Sequence, residues 1–241
     1  MKLYVIGTGP GAIDEMTMRA VKAIENSDVV VGYSFYINLI SRLLHDKKVI
    51  STEMTGETER CSAAINEAVE GKTVCVISGG DAGVYGMAGL ILELAAPHPQ
   101  LEIEVIPGVT AACSTAAILG APLTHDFAAI SLSDRLTDWE VIKTRLHCVA
   151  KADFVITLYN PASKTRKHHL KSACEIIMEY RSPATLCGVV RNAGREGESS
   201  LILRLDELAD FEADMFTTII IGNSGTQVIN DRLVTPRGYN L

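Results

Sequence analysis

Short apolar runs alternate with amphipathic stretches along most of the chain. Residues 2–6, 29–31, 48–51, 73–77 and 101–106 are rich in Val, Ile and Leu and read as buried strands. Between them, over about 15–26, 36–44, 58–69 and 87–95, apolar residues recur every three or four positions, which predicts helices. Strands alternating with helices predict a mainly parallel sheet covered on both faces. Beyond residue 120 the rhythm changes. Strands are expected at 127–132, 152–159, 183–191, 200–205 and 216–222, the last of the chain, and helices at 138–149 and 164–180. A hairpin connection before 200–205 makes the second sheet mixed. Gly120 and Pro122 interrupt the helical pattern and place a boundary there, giving two α/β domains, 1–120 and 121–241, each a central sheet flanked by helices.

Two glycine-rich turns are the first candidates for chemistry. The strand at 73–77 runs into Ser78-Gly79-Gly80-Asp81-Ala82-Gly83-Val84-Tyr85-Gly86. Glycine lets a ligand approach the main chain closely, and the strand-to-helix turn of an α/β sheet is where ligands sit. The competing reading is a tight turn whose glycines only permit packing; Asp81 favours a polar ligand. The other turn, Gly7-Thr8-Gly9-Pro10-Gly11-Ala12, matches the dinucleotide fingerprint G-x-G-x-x-G/A literally. Against it, the second strand leads into Gly32-Tyr33-Ser34 without the acid that would hold a ribose, and Pro10 removes an amide donor. The favoured reading of this loop is a close-packed turn beside the site.

Composition narrows the class. The 241 residues are 47% hydrophobic, enough for a large core. No run approaches the ~20 apolar residues of a membrane span, and the chain enters a strand without the basic and cleavable segments of a signal peptide, so the cytoplasm is expected. Six cysteines, Cys61, Cys75, Cys113, Cys148, Cys174 and Cys187, are scattered singly and read as reduced thiols. His168 and His169 are adjacent, diverge by about 100° on a helix and lack a Cys or carboxylate at i+4, so no protein-bound metal is expected. The net charge of -7 argues against a general nucleic-acid binder. Its distribution is uneven, however, because 159–195 holds seven basic residues (Lys164, Arg166, Lys167, Lys171, Arg181, Arg191, Arg195) against Glu175 and Glu179. A solvated helix face and an anion-binding wall both fit such a run.

Six segments in order carry a resemblance: 5–11, Gly79-Gly80-Asp81, Pro107-Gly108-Val109-Thr110-Ala111, Leu158-Tyr159-Asn160-Pro161, Val190-Arg191-Asn192-Ala193-Gly194 and Ile219-Ile220-Ile221-Gly222. Together they resemble the tetrapyrrole (corrin and porphyrin) methyltransferases that use S-adenosylmethionine, over nearly the whole chain. Residues 31–33, 83–89, 120–127, 130–134 and 235–239 make the sequence most similar to the precorrin-3B or cobalt-precorrin-3 C-17 methyltransferases of cobalamin biosynthesis. One departure is Asp138 before Trp139, where the resemblance leads one to expect proline; it bears on a helix start.

The resemblance implies a homodimer, an active site in the cleft between the two domains, and methylation coupled to ring contraction. It implies donor binding by Gly79, Asp81, Val84, Thr110, Ala111, Asn160, Asn192 and Thr217, with Pro10 shaping the site. The apolar members read equally as packing, and Asp81 and Thr110 as turn chemistry. A precorrin bears many carboxylates, so Arg191, Arg195, Lys164 and Arg166, with Lys167, are expected to face the substrate. His125 beside Asp126 is the candidate general acid or base, with a hydrogen-bonding role in the linker as the competing reading. A methylase for another ring carbon, a dinucleotide-dependent oxidoreductase and a non-catalytic tetrapyrrole carrier remain as alternatives.

Overall fold

The elements β1 (Lys2–Gly7), α1 (Met18–Glu25), β2 (Val29–Tyr33), α2 (Ser34–Leu39), β3 (Lys48–Thr52), α3 (Glu57–Val69), β4 (Thr73–Ser78), α4 (Ala88–Leu94) and β5 (Glu102–Ile106) follow one another in a computed structural model that describes residues 1–163 and 165–240. The sheet is wholly parallel, in the order β3-β2-β4-β1-β5. Alternation along the strands explains its two covered faces. Leu3, Val5, Val29, Val31, Val74 and Val76 pack with Cys61, Ala64, Ile65 and Ala68 of α3 and Ile91 of α4. Ile6, Val30, Cys75 and Ile77 pack with Ala20, Ala23 and Ile24 of α1 and Ile37 of α2.

One expected helix starts later than its apolar periodicity suggests. Residues 13–15 form a 3-10 turn, and α1 begins at Met18 because the Thr17 hydroxyl accepts from Ala20 N–H at 3.1 Å and caps it there.

The chain divides into two compact units, Met1–Ala111 and Ala112–Leu241. The second contains α5 (Ala111–Leu119), β6 (Gly120–Ala121), β7 (Phe127–Ser131), α6 (Trp139–Lys151), β8 (Val155–Tyr159), α7 (His169–Met178), β9 (Leu186–Arg191), β10 (Ser199–Arg204), α8 (Leu205–Leu208), β11 (Thr217–Ile221), β12 (Gln227–Ile229) and β13 (Arg232–Val234). Its main sheet, β10-β9-β11-β8-β7, is mixed: β7 and β8 are parallel, the other pairs antiparallel. Helices α6, α7 and α8 cover one face through Ile142, Leu146, Leu170, Ile177 and Leu205. Ala116 and Leu119 of α5, with Leu233 of β13, cover Val155, Val190 and Ile220 on the other. Helix α5 joins this unit because Leu119 lies where a side chain on Gly188 would stand.

Two differences from the sequence pattern have clear causes. Helix α7 begins at His169, not near 164, since Ser163 and Arg166 bond to each other's main chain in a turn. Strand 217–221 is not the last; β12 and β13 form a hairpin whose Asn230 and Asp231 take φ of 47° and 61°. Two positive φ values in succession mark a tight hairpin turn, and the sequence shows it only as Asn-Asp, without glycine. Asp138 caps α6 by accepting from Glu140 N–H at 2.7 Å, which answers the absent proline. Among the described residues no helix is long and apolar enough to cross a membrane.

Two contacts hold the units' frames. In the first, β4, β1 and β5 are neighbours running the same way, so their C-terminal turns emerge side by side. A Cβ on Gly7 would lie 2.6 Å from Gly80 O and from Gly108 N, and one on Gly108 would lie 2.2 Å from Gly80 O. Every obstacle there is main chain, which cannot swing away. In the second unit Arg181 is 8% exposed and donates to the carbonyls of Gly222 (2.6 Å), Val149 (3.3 Å), Ala150 (3.5 Å) and Phe154. Burial pulls this guanidinium's pKa below its ordinary value, with Asp153 opposing the shift.

Gly108→Ala is expected to cost about 2–3 kcal/mol by overpacking and to lower Tm by roughly 5–10 °C; an unchanged Tm would show that the turns part easily. Arg181→Met leaves buried carbonyls without donors and should cost about 3 kcal/mol. Urea unfolding followed by the fluorescence of Trp139, the one tryptophan of the chain, checks this, an unmoved midpoint being the contrary result.

Candidate functional site

At the carboxyl edge of the first sheet the turns after β1 and β4 are joined by main-chain bonds. Thr8 N–H donates to Ser78 O at 2.9 Å, Gly9 N–H to Gly80 O at 3.0 Å, and Gly80 N–H back to Gly9 O at 2.8 Å. Gly80 holds φ at +70°, open to glycine at no cost. Asp81 ties the third turn in. Its Oδ1 accepts from Gly83 N–H at 2.8 Å within its own turn, and its Oδ2 accepts from Gly108 N–H at 3.0 Å in the turn after β5. The carboxylate is thus a brace between two loops. Ser78, which sequence reasoning passed over, adds another: its Oγ accepts from Met87 N–H at 3.1 Å. A hydroxyl residue at a strand end before two glycines is the signal that could have found it.

Pro10, Gly79, Asp81, Val84, Thr110 and Ala111 all lie at this edge, each half-buried. Gly79 leaves room for the Tyr36 ring, which a Cβ there would meet at 2.4 Å and displace. Tyr85, also overlooked, takes φ of +54°, a left-handed conformation that costs a non-glycine residue about 1–2 kcal/mol. The loop at 7–12 lacks what a dinucleotide needs. Both main-chain groups of Gly9 are bonded to Gly80, and α1, whose N-terminus would have to face a pyrophosphate, starts only at Met18.

In the second unit β7, β8 and β9 end at one edge, where β11 begins. Asn160 and Asn192 follow β8 and β9 directly, at φ of 52° and 53°. Asparagine is among the few residues that accept this region, so both are turn formers by type. Asn160 Nδ2 donates to Ser131 Oγ at 3.0 Å, and Asn192 N–H to Phe216 O at 3.1 Å. Thr217 Oγ1 donates to Asp214 Oδ1 at 2.7 Å, while Asp214 Oδ2 pairs with Arg191 at 2.8 Å. Arg195 lies over the Phe216 ring, 5.4 Å from its centroid. Arg166 donates to Leu132 O (3.1 Å) and Asn160 O (3.4 Å) and stands 3.7 Å from Asp134. The structure therefore brings Asn160, Asn192, Thr217, Arg166, Arg191 and Arg195 to one edge. Asp214, missed in the sequence, pins β9 to β11; an Asp three residues before a strand was its only sign.

Other expected residues lie elsewhere. His125 precedes β7 and so sits at the opposite edge of this sheet, in a hollow of about 370 Å³ with Asp153, Phe154, Asn223, Ser224 and Thr235. Its Nδ1 accepts from Asp126 N–H at 2.9 Å, the fixing role weighed against acid/base work. The sheet's own length separates it from Asn160 and Arg191, because strands β7 and β8 run away from it. The basic run is no uniform wall: Arg181 is buried structurally, Lys171 pairs with Asp210, and Arg166 and Arg191 each stand beside an aspartate. Lys164 lies outside the described residues; Lys167 is exposed. Cys61, Cys75, Cys174 and Cys187 are buried, which pushes their thiols up, to about 11 for Cys61 and about 12 for Cys75 and Cys174.

The profile of the tetrapyrrole (corrin/porphyrin) methylases matches residues 2–209. A protein of Salmonella typhimurium named a probable cobalt-factor III C(17)-methyltransferase is 47% identical over 99% of this chain and 100% of its own length. A Priestia megaterium cobalt-factor III methyltransferase is 46% identical over 99% of this chain, which spans 45% of that protein's length. Among solved structures, that of the methyltransferase CobJ superposes with a TM-score of 0.89 at 34% identity, covering 97% of this chain and 99% of the other. Turns braced by glycine and Asp81, strand ends capped by asparagine, and these matches along the chain agree: the protein belongs to the tetrapyrrole (corrin/porphyrin) methylases.

Proposed function

We propose that this protein methylates C-17 of a cobalt-factor III or precorrin-3B type tetrapyrrole in cobalamin biosynthesis, in a reaction coupled to contraction of the ring. The observation that carries the reading is the 47% identity, over 99% of this chain and the whole of the other, with a relative bearing the C-17 name. Methylation of another carbon of a corrin or porphyrin precursor is the neighbouring alternative. The reading also takes the enzyme to be a cytoplasmic homodimer, on family grounds alone.

The first unit's edge suits S-adenosylmethionine. A Cβ on Gly80 would touch only main chain, 3.7 Å from Ala111 N and Thr110 Cα, so peptide groups of two turns face each other across a seam. Such a seam fits a ligand recognised through polar contacts from the backbone. The donor supplies a methyl already activated on a sulfonium, which leaves alignment and exclusion of water to the protein. Gly79, Val84, Thr110 and Ala111 would hold it, Pro10 would shape the wall, and Asp81 would keep the two turns at their spacing. Asn160, Asn192 and Thr217, at one edge of the second unit's sheet, are proposed as donor-binding residues on the resemblance alone.

Arg166, Arg191 and Arg195 are proposed to take substrate carboxylates. A guanidinium has five donors, and one aspartate engages one edge of it, so Asp134 and Asp214 can fix the orientation of Arg166 and Arg191 for a second carboxylate. His125, at the far edge of its sheet, has no part in this reading.

Incubation with isotopically labelled donor and either cobalt-factor III or precorrin-3B should add one methyl by mass spectrometry, and the preferred acceptor would tell the cobalt route from the cobalt-free one. No transfer to either would overturn the reading. Asp81→Ala removes the brace and should weaken donor binding at least tenfold, roughly 1.4 kcal/mol, in calorimetry. Unchanged affinity would mean the seam keeps its spacing without the carboxylate.

A further inference from the structure

Tyr85 occupies a position that the backbone reserves for glycine. Its φ is +54°, and the same turn places glycine where the chain needs it: Gly80 at +70°, and Gly86, where a Cβ would lie 2.5 Å from Ala82 O. Burial does not explain the exception. Tyr85 is 55% exposed, the one exposed aromatic of the first unit. Nor is the conformation a product of slack, because the turn is held on both sides. Gly83 N–H and Val84 N–H bond to Asp81, and Met87 N–H and Ala88 N–H bond to Ser78 Oγ and Ala82 O. A strained residue held on a determined backbone marks a candidate functional position. The turn belongs to the carboxyl edge of a parallel sheet, where ligands of α/β folds sit.

We propose that Tyr85 is a specificity-determining residue that lays its ring against the flat face of the tetrapyrrole acceptor. The assignment rests on the methylase reading and deepens it. A conjugated macrocycle offers an extended planar apolar face with carboxylates around its rim. Tyrosine matches both parts, with an aromatic body for the face, a hydroxyl for the wet rim, and two side-chain torsions to order. A ring presented from a braced turn beside the donor residues would set the height of the macrocycle over the first unit's edge, and hence which carbon meets the methyl.

The test compares Tyr85→Gly and Tyr85→Phe with the unaltered protein, in thermal unfolding, calorimetric binding of S-adenosylmethionine, and absorbance titration and turnover with cobalt-factor III. Tyr85→Gly relieves the left-handed strain, so Tm should hold or rise by about 2–4 °C. Donor affinity should stay within about twofold, while the tetrapyrrole Kd and KM rise at least tenfold. Tyr85→Phe should restore most of that loss. A Gly variant that binds the tetrapyrrole normally would overturn the proposal. Loss of donor affinity by the same factor would assign the ring to the donor instead, and failure of Phe to rescue would assign the role to the hydroxyl; either outcome rejects it. Unaltered protein that bound the tetrapyrrole without methylating it would overturn the functional reading alone, and no binding at all would overturn both.

Discussion

The contact on which the first unit depends is the meeting of three strand ends with no side chain between them. Gly7 and Gly108 let β1, β4 and β5 come so close that a methyl group on either would collide with main chain, Gly80 O included, at 2.2–2.6 Å. Close approach alone would leave polar groups stranded. Reciprocal bonds between Gly9 and Gly80, and the two oxygens of Asp81 on Gly83 and Gly108, satisfy them. Packing and hydrogen bonding thus require each other at this edge, and the seam beside Thr110 and Ala111 is a by-product of both.

The second unit solves the same problem with side chains. Its strand ends carry asparagines in the left-handed region and arginines beside aspartates, so the edge is polar and braced where the first is bare. A bare edge exposes peptide groups to a ligand; a braced one holds charged forks in fixed orientation. The far edge of that sheet is different again. Arg181 gathers four carbonyls there and has no partner role to offer, despite belonging to the stretch that reads as basic.

Much of this was legible because it follows from local rules. Alternating Val, Ile and Leu between helical stretches marks strands, and the hairpin before β10 announces antiparallel pairing. The turn at 78–86 and the strand-end asparagines are visible as residue types that few other positions want. What local rules missed were features defined by a distant partner. The dinucleotide fingerprint at 7–12 is complete in letters, but Gly9 is bonded to a residue 71 positions on. His125 next to Asp126 has a suitable pairing of types, and strand direction carries it to the edge opposite Asn160 and Arg191. The hairpin at 227–234 went unread because its turn uses Asn-Asp in place of glycine.

The two α/β units, the parallel and mixed character of their sheets, and the family can all be read along the chain, since periodicity and motif order are properties of neighbouring residues. What the key side chains touch had to come from the folded molecule. Asp81 could have been a ligand contact, a turn former or both, and its two oxygens on two different loops make it a brace. Tyr85 could have been core, and its exposure at positive φ takes it out of the core. The reason is common to both. A side chain's role depends on which atoms the fold brings within about 3 Å of it, the reach of a hydrogen bond, and those atoms are supplied by strands far apart in the chain.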